Sequence, residues 1–295
     1  MPRLLILCEY PTVLGGERSM LATLPAIAGA GFQVVIAAPG EGHLAGTLRE
    51  RGIEHIPWRT CDSAGSRLPL EELRSNLENI IRNVHPDILH ANSLSTARIA
   101  GPVAALCSVK SIGHLRDIIK LTSQAIDDLN SHCKLIAVSR ATRDFHVAQG
   151  LDATKCVVLH NGIDLREFHP RPASGYLHRE LNIPRTSPLI ATVGQLGLRK
   201  GTDVALAAAL PIAEQCPDAH WMIVGERTSN KLESREFEMN LRWLAADAAI
   251  AARVHFLGSR RDIAVLLPEC HTLVHTARQE PLGRVLIEAA ACGLA

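Results

Sequence analysis

Aromatic residues make up only 3% of the 295-residue sequence. Single-stranded nucleic acid is held by stacking bases on aromatic rings, so this scarcity argues against such a platform. An excess of charge of one sign is also missing. Lys and Arg number 31 against 30 Asp and Glu, for a net charge of +1. The balance holds along the chain, with 17 basic and 17 acidic side chains in residues 1–170 and 14 and 13 in residues 171–295. Bulk charge therefore gives no hold on nucleic acid. No apolar run reaches the roughly 18 residues of a membrane span. The run Leu4–Cys8 meets Glu9 and is too short for the core of a signal peptide. The eight cysteines are scattered, with no C-x-x-C. That usage fits a reduced, cytoplasmic protein with buried thiols. No Cys/His cluster has the spacing of zinc ligands, so no metal site is expected.

What is present is a globular composition, 47% hydrophobic and 21% charged, long enough for two domains. Short aliphatic runs alternate with helical stretches. The first half predicts strands at 4–8, 33–38, 53–57, 87–90, 110–113, 134–138 and 157–159. Between them it predicts helices at 18–30, 44–51, 70–84, 94–107 and from Ser139 to Gln149. Leu70, Leu73, Leu77, Ile80 and Ile81 share one helical face. The strands are continuous aliphatic runs without alternation, which fits a parallel sheet covered on both faces. Residues 166–188, punctuated by Pro170, Pro172, Pro184 and Pro188, read as a linker between a first domain, 1–165, and a second, 189–295. The second domain predicts strands at 189–193, 220–224, 254–257 and 272–275. Its helices fall at 202–215, 232–250, 260–267 and from Arg284 to Ala291. Beside the first domain it looks incomplete.

In open α/β sheets ligands bind at the carboxyl ends of the strands, so the loops there carry the chemistry. Gly15-Gly16 follows the first strand. Paired glycines admit a ligand close to backbone N–H groups at a helix start, although a plain turn fits equally well. The loop after Val193 carries Gly194, Gln195, Gly197, Lys200 and Gly201. Lys200 stands just before a helix, where it can neutralise phosphate, or it belongs to a solvated Arg-Lys turn. Glu280-Pro281-Leu282-Gly283 leads into a helix that holds Glu288 more than a turn further on. Two carboxylates around a helix start suit an extended ligand with hydroxyls and phosphate, and a capped helix with a solvated Glu is the plain alternative. His114 ends a strand and is open to either a substrate or a structural role. His271 and His275, placed on one strand, do not converge on a metal. Dinucleotide, Walker A, D-x-D, G-x-S-x-G and H-E-x-x-H patterns are all missing.

Together these residues resemble a retaining glycosyltransferase of the GT-B fold, family 4 (glycosyl transferases group 1) type. Glu280 and Glu288 match that family's E-x7-E element within a block running to Gly293. Gly194–Gly201 resembles its G-R-L-x-x-x-K-G loop. Asn161-Gly162-Ile163-Asp164 with Phe168 and Pro170 resembles its N-G-[IV]-D-x-x-x-F-x-P junction. Gly15-Gly16 with Arg18 resembles its opening loop, and Val138-Ser139 a V-S pair.

The resemblance implies an α/β protein of two Rossmann-like parallel-sheet domains. It implies transfer of a sugar, with retention and without metal, from a nucleotide-diphosphate sugar to a glycan or lipid-linked glycan, as in polysaccharide biosynthesis. The nucleotide sugar is a co-substrate, and no further cofactor is implied. The acceptor belongs mostly to the N-terminal domain and the donor to the C-terminal one. Glu288 would hold the donor ribose, and Lys200 with the N–H groups near Leu282 and Gly283 the diphosphate. Glu280 would touch donor sugar hydroxyls, His114 would lie near the transferred sugar, and Gly16 would approach the phosphates. No protein partner or nucleic acid is implied, and peripheral contact with the inner face of the membrane fits the family.

Two features depart from the pattern. Gln195 replaces the usual Arg. Losing a charged hydrogen bond worth about 1.5–3 kcal/mol weakens diphosphate binding by one or two decades unless Arg199 reaches in. The chain also ends soon after Glu288, where family members continue, so a truncated donor domain with exposed sheet surface is expected. These departures leave open a non-catalytic nucleotide-sugar-binding or interaction protein on the same fold, an inactive remnant, or a sugar-nucleotide epimerase.

Overall fold

The computed structural model describes all residues, Met1–Ala295. They form two compact units, Met1–Gly162 and Ile163–Ala295. The first has seven strands: β1 (Arg3–Leu7), β2 (Gln33–Ala38), β3 (Glu54–Pro57), β4 (Ile88–Ala91), β5 (Lys110–Leu115), β6 (Lys134–Ala137) and β7 (Cys156–Val158). All pair in parallel, in the order β3-β2-β1-β4-β5-β6-β7. The order reverses between β1 and β4, so the loops that follow these two strands diverge and open a crevice.

Six helices join these strands: α1 (Gly15–Gly29), α2 (His43–Glu50), α3 (Leu70–Val84), α4 (Leu94–Leu106), α5 (Ser123–Asn130) and α6 (Arg140–Val147). The apolar stripe of α3 is buried at Leu73, Leu77, Ile81 and Val84, with Leu70 and Ile80 packed at its margin. Ser93 caps α4 and Ser139 caps α6, each side chain accepting the N–H three residues on. The core divides around the sheet. Leu5, Leu7, Val35, Ala37 and Leu89 belong to one cluster, and Leu4, Ile6, Cys8, Ile36 and Ala38 to the other. Successive residues of β1 and β2 thus enter opposite clusters, which is why these strands are aliphatic without alternation.

The second unit has α7 (Tyr176–Leu181), β8 (Leu189–Val193), α8 (Thr202–Gln215), β9 (His220–Val224), α9 (Leu232–Ala245), β10 (Val254–Gly258), α10 (Ile263–Leu266), β11 (Thr272–Leu273) and α11 (Arg284–Ala291). Its strands are parallel in the order β10-β9-β8-β11, and the order reverses between β8 and β11. Strand β11 is only two residues long. His271 and His275 therefore stand on either side of a strand, not on one as the sequence suggested. No helix of the chain is long and apolar enough to cross a membrane.

Besides β11 and the shorter α9 and α10, three elements differ from the sequence-based expectation. Helix α1 begins at Gly15, three residues before Arg18, so the paired glycines form its first turn. The Glu17 carboxylate accepts the Leu14 N–H at 3.2 Å and extends the helix backwards. Helix α5 was not foreseen. Thr122 caps it, and it buries Ala125, Ile126, Asp128 and Leu129, with Asp128 2.7 Å from Arg74. The proline-rich stretch 166–188 contains α7, held between two left-handed residues, Gly175 (φ 73°) and Asn182 (φ 54°). Phe168 and Leu177 bury in the core of the second unit. The Glu269 carboxylate accepts N–H bonds from Ser174 and Gly175 at 2.6 and 2.7 Å, which fastens the stretch to that unit.

Candidate functional site

In the second unit the two loops at the order reversal are tied together. The loop after β8 carries Gly194–Gly201, and the segment after β11 carries Val274–Gly283. Arg278 donates its backbone N–H to Arg199 O at 2.9 Å and grips the Asp203 carboxylate through both terminal nitrogens at 2.8 and 2.6 Å. Thr276 donates its hydroxyl to Gly201 O at 2.6 Å. Gly201 has φ 66°, and a Cβ there would lie 1.9 Å from Thr276 O. Only glycine fits this crossing. Gly201→Ala should therefore destabilise the second unit by about 3 kcal/mol or more. Chemical denaturation reads this, and a loss below about 1 kcal/mol would count against the tight crossing.

This junction brings together Lys200 and Glu280, which are 80 residues apart. Lys200 Nζ donates to Glu280 Oε2, and His275 Nε2 lies 3.2 Å from the same oxygen. Both members of the pair are largely withdrawn from water, with side chains 23% and 19% exposed. Burial pushes the Glu280 carboxyl up, but His275 and Lys200 outweigh it and hold its pKa at about 2. Glu280 is thus a carboxylate at neutral pH, an acceptor of hydrogen bonds and not an acid. Gly283 adopts φ 77° just before α11, and a Cβ there would meet Leu286 Cδ1 at 2.9 Å and Glu280 Cγ at 3.3 Å. Leu282 is half-buried and Gly283 buried at this turn. Glu288 sits inside α11, 8% exposed, with Arg284 Nη2 donating to its Oε1 at 3.0 Å. Gln195 is exposed, and its side-chain amide donates to the Thr228 hydroxyl.

The first unit gathers a second group at the carboxyl end of its sheet. His114, on β5, is 6% exposed. Arg116 follows β5, Asn92 follows β4, Asn161 follows β7 and Gly16 lies in the first turn of α1. Arg116 donates from Nε to Asn92 O at 2.7 Å, from Nη1 to Asn161 Oδ1 at 3.0 Å, and from Nη2 to Asn92 Oδ1 at 2.8 Å and His114 Nδ1 at 3.1 Å. A Cβ on Gly16 would lie 3.3 Å from Arg116 Cδ. Burial, then Arg116 and His90, press the His114 pKa down to about 2. The ring is neutral throughout the physiological range.

Of the residues singled out in the sequence, the structure thus joins Lys200 to Glu280 and sets Leu282, Gly283 and Glu288 at the start and within the body of α11. In the first unit it sets Gly16 and His114 on either side of Arg116. Two residues of these clusters, Asn92 and Arg116, were not singled out from the sequence, while Asn161 was read only as part of the junction motif and His275 only as excluded from a metal site. Their signal was positional. Asn92 and Arg116 each stand one residue past a strand, and His275 two residues past one. That is where ligands bind in such sheets.

The family model for Glycosyltransferase Family 4 matches residues 13–167, and that for Glycosyl transferases group 1 matches residues 176–295. The chain is 26% identical over 203 residues to a D-inositol 3-phosphate glycosyltransferase of Mycobacterium leprae, covering 68% of this chain and 43% of the relative. It is 26% identical over 237 residues to an Escherichia coli UDP-Gal:alpha-D-GlcNAc-diphosphoundecaprenol alpha-1,3-galactosyltransferase, covering 74% of this chain and 59% of the relative. The chain thus spans about half the length of these curated relatives. Among solved structures, Anabaena HepE in complex with UDP and glucose superposes with a TM-score of 0.83 at 20% identity, over 100% of this chain and 79% of that one. With two consecutive family models taking in most of its length and parallel sheets like those of its structural neighbours, the chain belongs to glycosyltransferase family 4, on the GT-B fold.

Proposed function

We propose that the protein transfers a sugar from a nucleotide-diphosphate sugar to a hydroxyl of a glycan or lipid-linked glycan, with retention and without a metal ion. The observation that carries this reading is the meeting of Lys200 and Glu280 at the order reversal of the second sheet, beside the start of α11. A cation, a carboxylate held ionised and a helix start suit the two halves of such a donor. In this reading Lys200 and the turn at Leu282 and Gly283 take the diphosphate, Glu280 accepts sugar hydroxyls, and Glu288 accepts ribose hydroxyls. For the first unit the family resemblance assigns Gly16 to phosphate and His114 to the transferred sugar.

The chemistry follows from where charge develops. Breaking the bond between the anomeric carbon and the phosphate oxygen moves negative charge onto the leaving diphosphate. Fixed positive groups aimed there stabilise the transition state more than the ground state. A unit charge pair about 4 Å apart contributes roughly 4 kcal/mol at an effective dielectric near 20. Lys200 and the helix start thereby supply part of what a divalent ion would. Glu280, already ionised, needs no proton loss before it accepts a sugar hydroxyl.

The relatives' names point to cyclitol-phosphate and lipid-linked sugar acceptors: one names D-inositol 3-phosphate and another a diphosphoundecaprenol-linked sugar. The test is transfer from isotope-labelled UDP-glucose and UDP-galactose to a lipid-linked sugar, with the product anomer read by NMR. An α-linked product from the α-configured donor, formed in the presence of a chelator, supports the reading. An inverted linkage, or dependence on an added divalent ion, overturns retention or metal independence respectively. Release of an altered free sugar without acceptor would make the protein an epimerase instead.

A further inference from the structure

We infer that Arg116 is a positioning residue that holds His114 as the neutral tautomer with its proton on Nε2. His114 is then a hydrogen-bond donor to a bound oxygen and not a proton acceptor. The inference deepens the function proposed above, on which it rests only for the identity of the oxygen that His114 faces.

A guanidinium donates at every nitrogen and accepts at none, and it is not deprotonated in proteins. Arg116 Nη2 lies 3.1 Å from His114 Nδ1, so Nδ1 must present its lone pair. His90 Nε2 lies 3.4 Å from the same atom, a contact that suits a lone pair on Nδ1 when His90 carries its proton on Nε2. The single proton of the neutral ring is left to Nε2. That atom is buried and has no hydrogen-bond partner. Buried polar atoms are nearly always satisfied, so a lone buried N–H at the carboxyl end of a sheet marks a place kept for a ligand oxygen.

Arg116 is itself held in place. Asn92 accepts two of its hydrogen bonds and Asn161 a third. Gly16 lets the side chain pass against the first turn of α1. Three elements, β4, β7 and α1, thus fix one guanidinium at the carboxyl end of the sheet, and the guanidinium fixes one imidazole. The nearest titratable neighbours act in the same sense. Arg116 and His90 both oppose a positive charge on His114. Burial pushes the Cys8 thiol, on the β1 side, up to about 12, so it stays neutral. Glu17, on α1, has a carboxyl pushed up by burial and feels the Arg116 guanidinium. A residue in this state cannot take the acceptor's proton. That step falls to another base, such as an oxygen of the leaving diphosphate.

The experiment is a long-range 1H–15N correlation spectrum of the full chain labelled with 15N-histidine, without ligand. The His114 ring signals are assigned by their loss in His114→Gln. The expected spectrum shows Nε2 protonated and Nδ1 bare, with no titration between about pH 5 and 8. In Arg116→Leu the tautomer ratio should move toward Nδ1–H by about tenfold or more, the loss of a charged hydrogen bond. Arg116→Lys, which keeps a donor and a charge, should restore the Nε2–H form. A wild-type His114 protonated on Nδ1, or titrating near its ordinary value, overturns the inference. So does an Arg116→Leu variant whose spectrum stays wholly Nε2–H. Should Arg116→Leu not fold, Arg116→Met, which keeps the unbranched stem and removes every donor, is read in its place with the same two outcomes. None of these readings uses transfer, so a chain that transfers nothing still decides the tautomer.

Discussion

Replacing Lys200 with methionine should lower kcat for sugar transfer by about 10²–10³-fold, the effect of removing one donor aimed at developing negative charge. The same change leaves the Glu280 carboxylate without its ammonium partner, in a site where both side chains are mostly shielded from water. Removing one partner of a fully buried pair costs about 3–5 kcal/mol. This pair keeps some contact with solvent, so about 1–2 kcal/mol is expected. The double variant Lys200→Met, Glu280→Gln separates the two effects. With no stranded charge, its stability should return close to that of the wild type, while its activity should not recover. Steady-state kinetics beside urea denaturation of the three variants makes the comparison. If Lys200→Met keeps kcat within about threefold, Lys200 serves the fold and not the reaction.

Acid should destabilise the first unit steeply, and earlier than carboxylate titration would. Three of its histidines are held neutral: His90 at about 4, His114 at about 2 and His132 at about 4, against an ordinary 6.5. Burial is the leading cause in each, with Arg116 opposing charge on the first two and Lys155 on the third. His132 is fully buried between Ser111 Oγ at 2.9 Å and Ala97 O at 2.8 Å. These folded-state values are depressed, so below 6.5 the unfolded chain binds protons that the folded unit refuses. Their contribution is whole above that pH and declines as pH falls toward 4. Three such protons amount to on the order of 4 kcal/mol per pH unit. Between neutrality and about pH 5 the melting temperature of this unit should fall by on the order of 10–20 °C. Glu280 acts on the second unit by the same logic but lower, between 4.5 and about 2. A circular-dichroism melting series in steps of about half a pH unit tests this. A melting temperature constant to within about 3 °C over that range would show that the three rings take up protons in place.

The aliphatic runs made the two sheets legible, because a parallel strand covered on both faces needs no alternation to be recognised. All eleven strands stand where short apolar runs fell, although β11 closed to two residues. Helix α5 escaped because its helical signal is carried by only a few apolar positions and by Asp128, whose burial depends on Arg74. Helix α7 escaped because prolines on both sides read as a linker, while Phe168 and Leu177 commit the segment to a core. The residues gathered in the second unit were legible as a motif: a lysine before a helix, and two glutamates around a helix start. The link between Lys200 and Glu280 was not, since only the fold joins residues 80 apart. Arg116 and Asn92 were passed over for a related reason. Each looks like an ordinary polar loop residue until the sheet order sets β1, β4 and β5 side by side.

The central claim is a nucleotide-diphosphate-sugar site in the second unit, and nucleotide binding tests it most directly. UDP, GDP and ADP are titrated into the wild type and into Glu288→Ala, with the melting temperature followed. A ligand that binds only the folded protein stabilises it by about 2.7 kcal/mol at one hundred times its Kd. One of the three nucleotides should raise the melting temperature of the wild type, and the rise should vanish in Glu288→Ala. No rise with any nucleotide, or the same rise in both proteins, would contradict a donor site built on Lys200, Glu280 and Glu288.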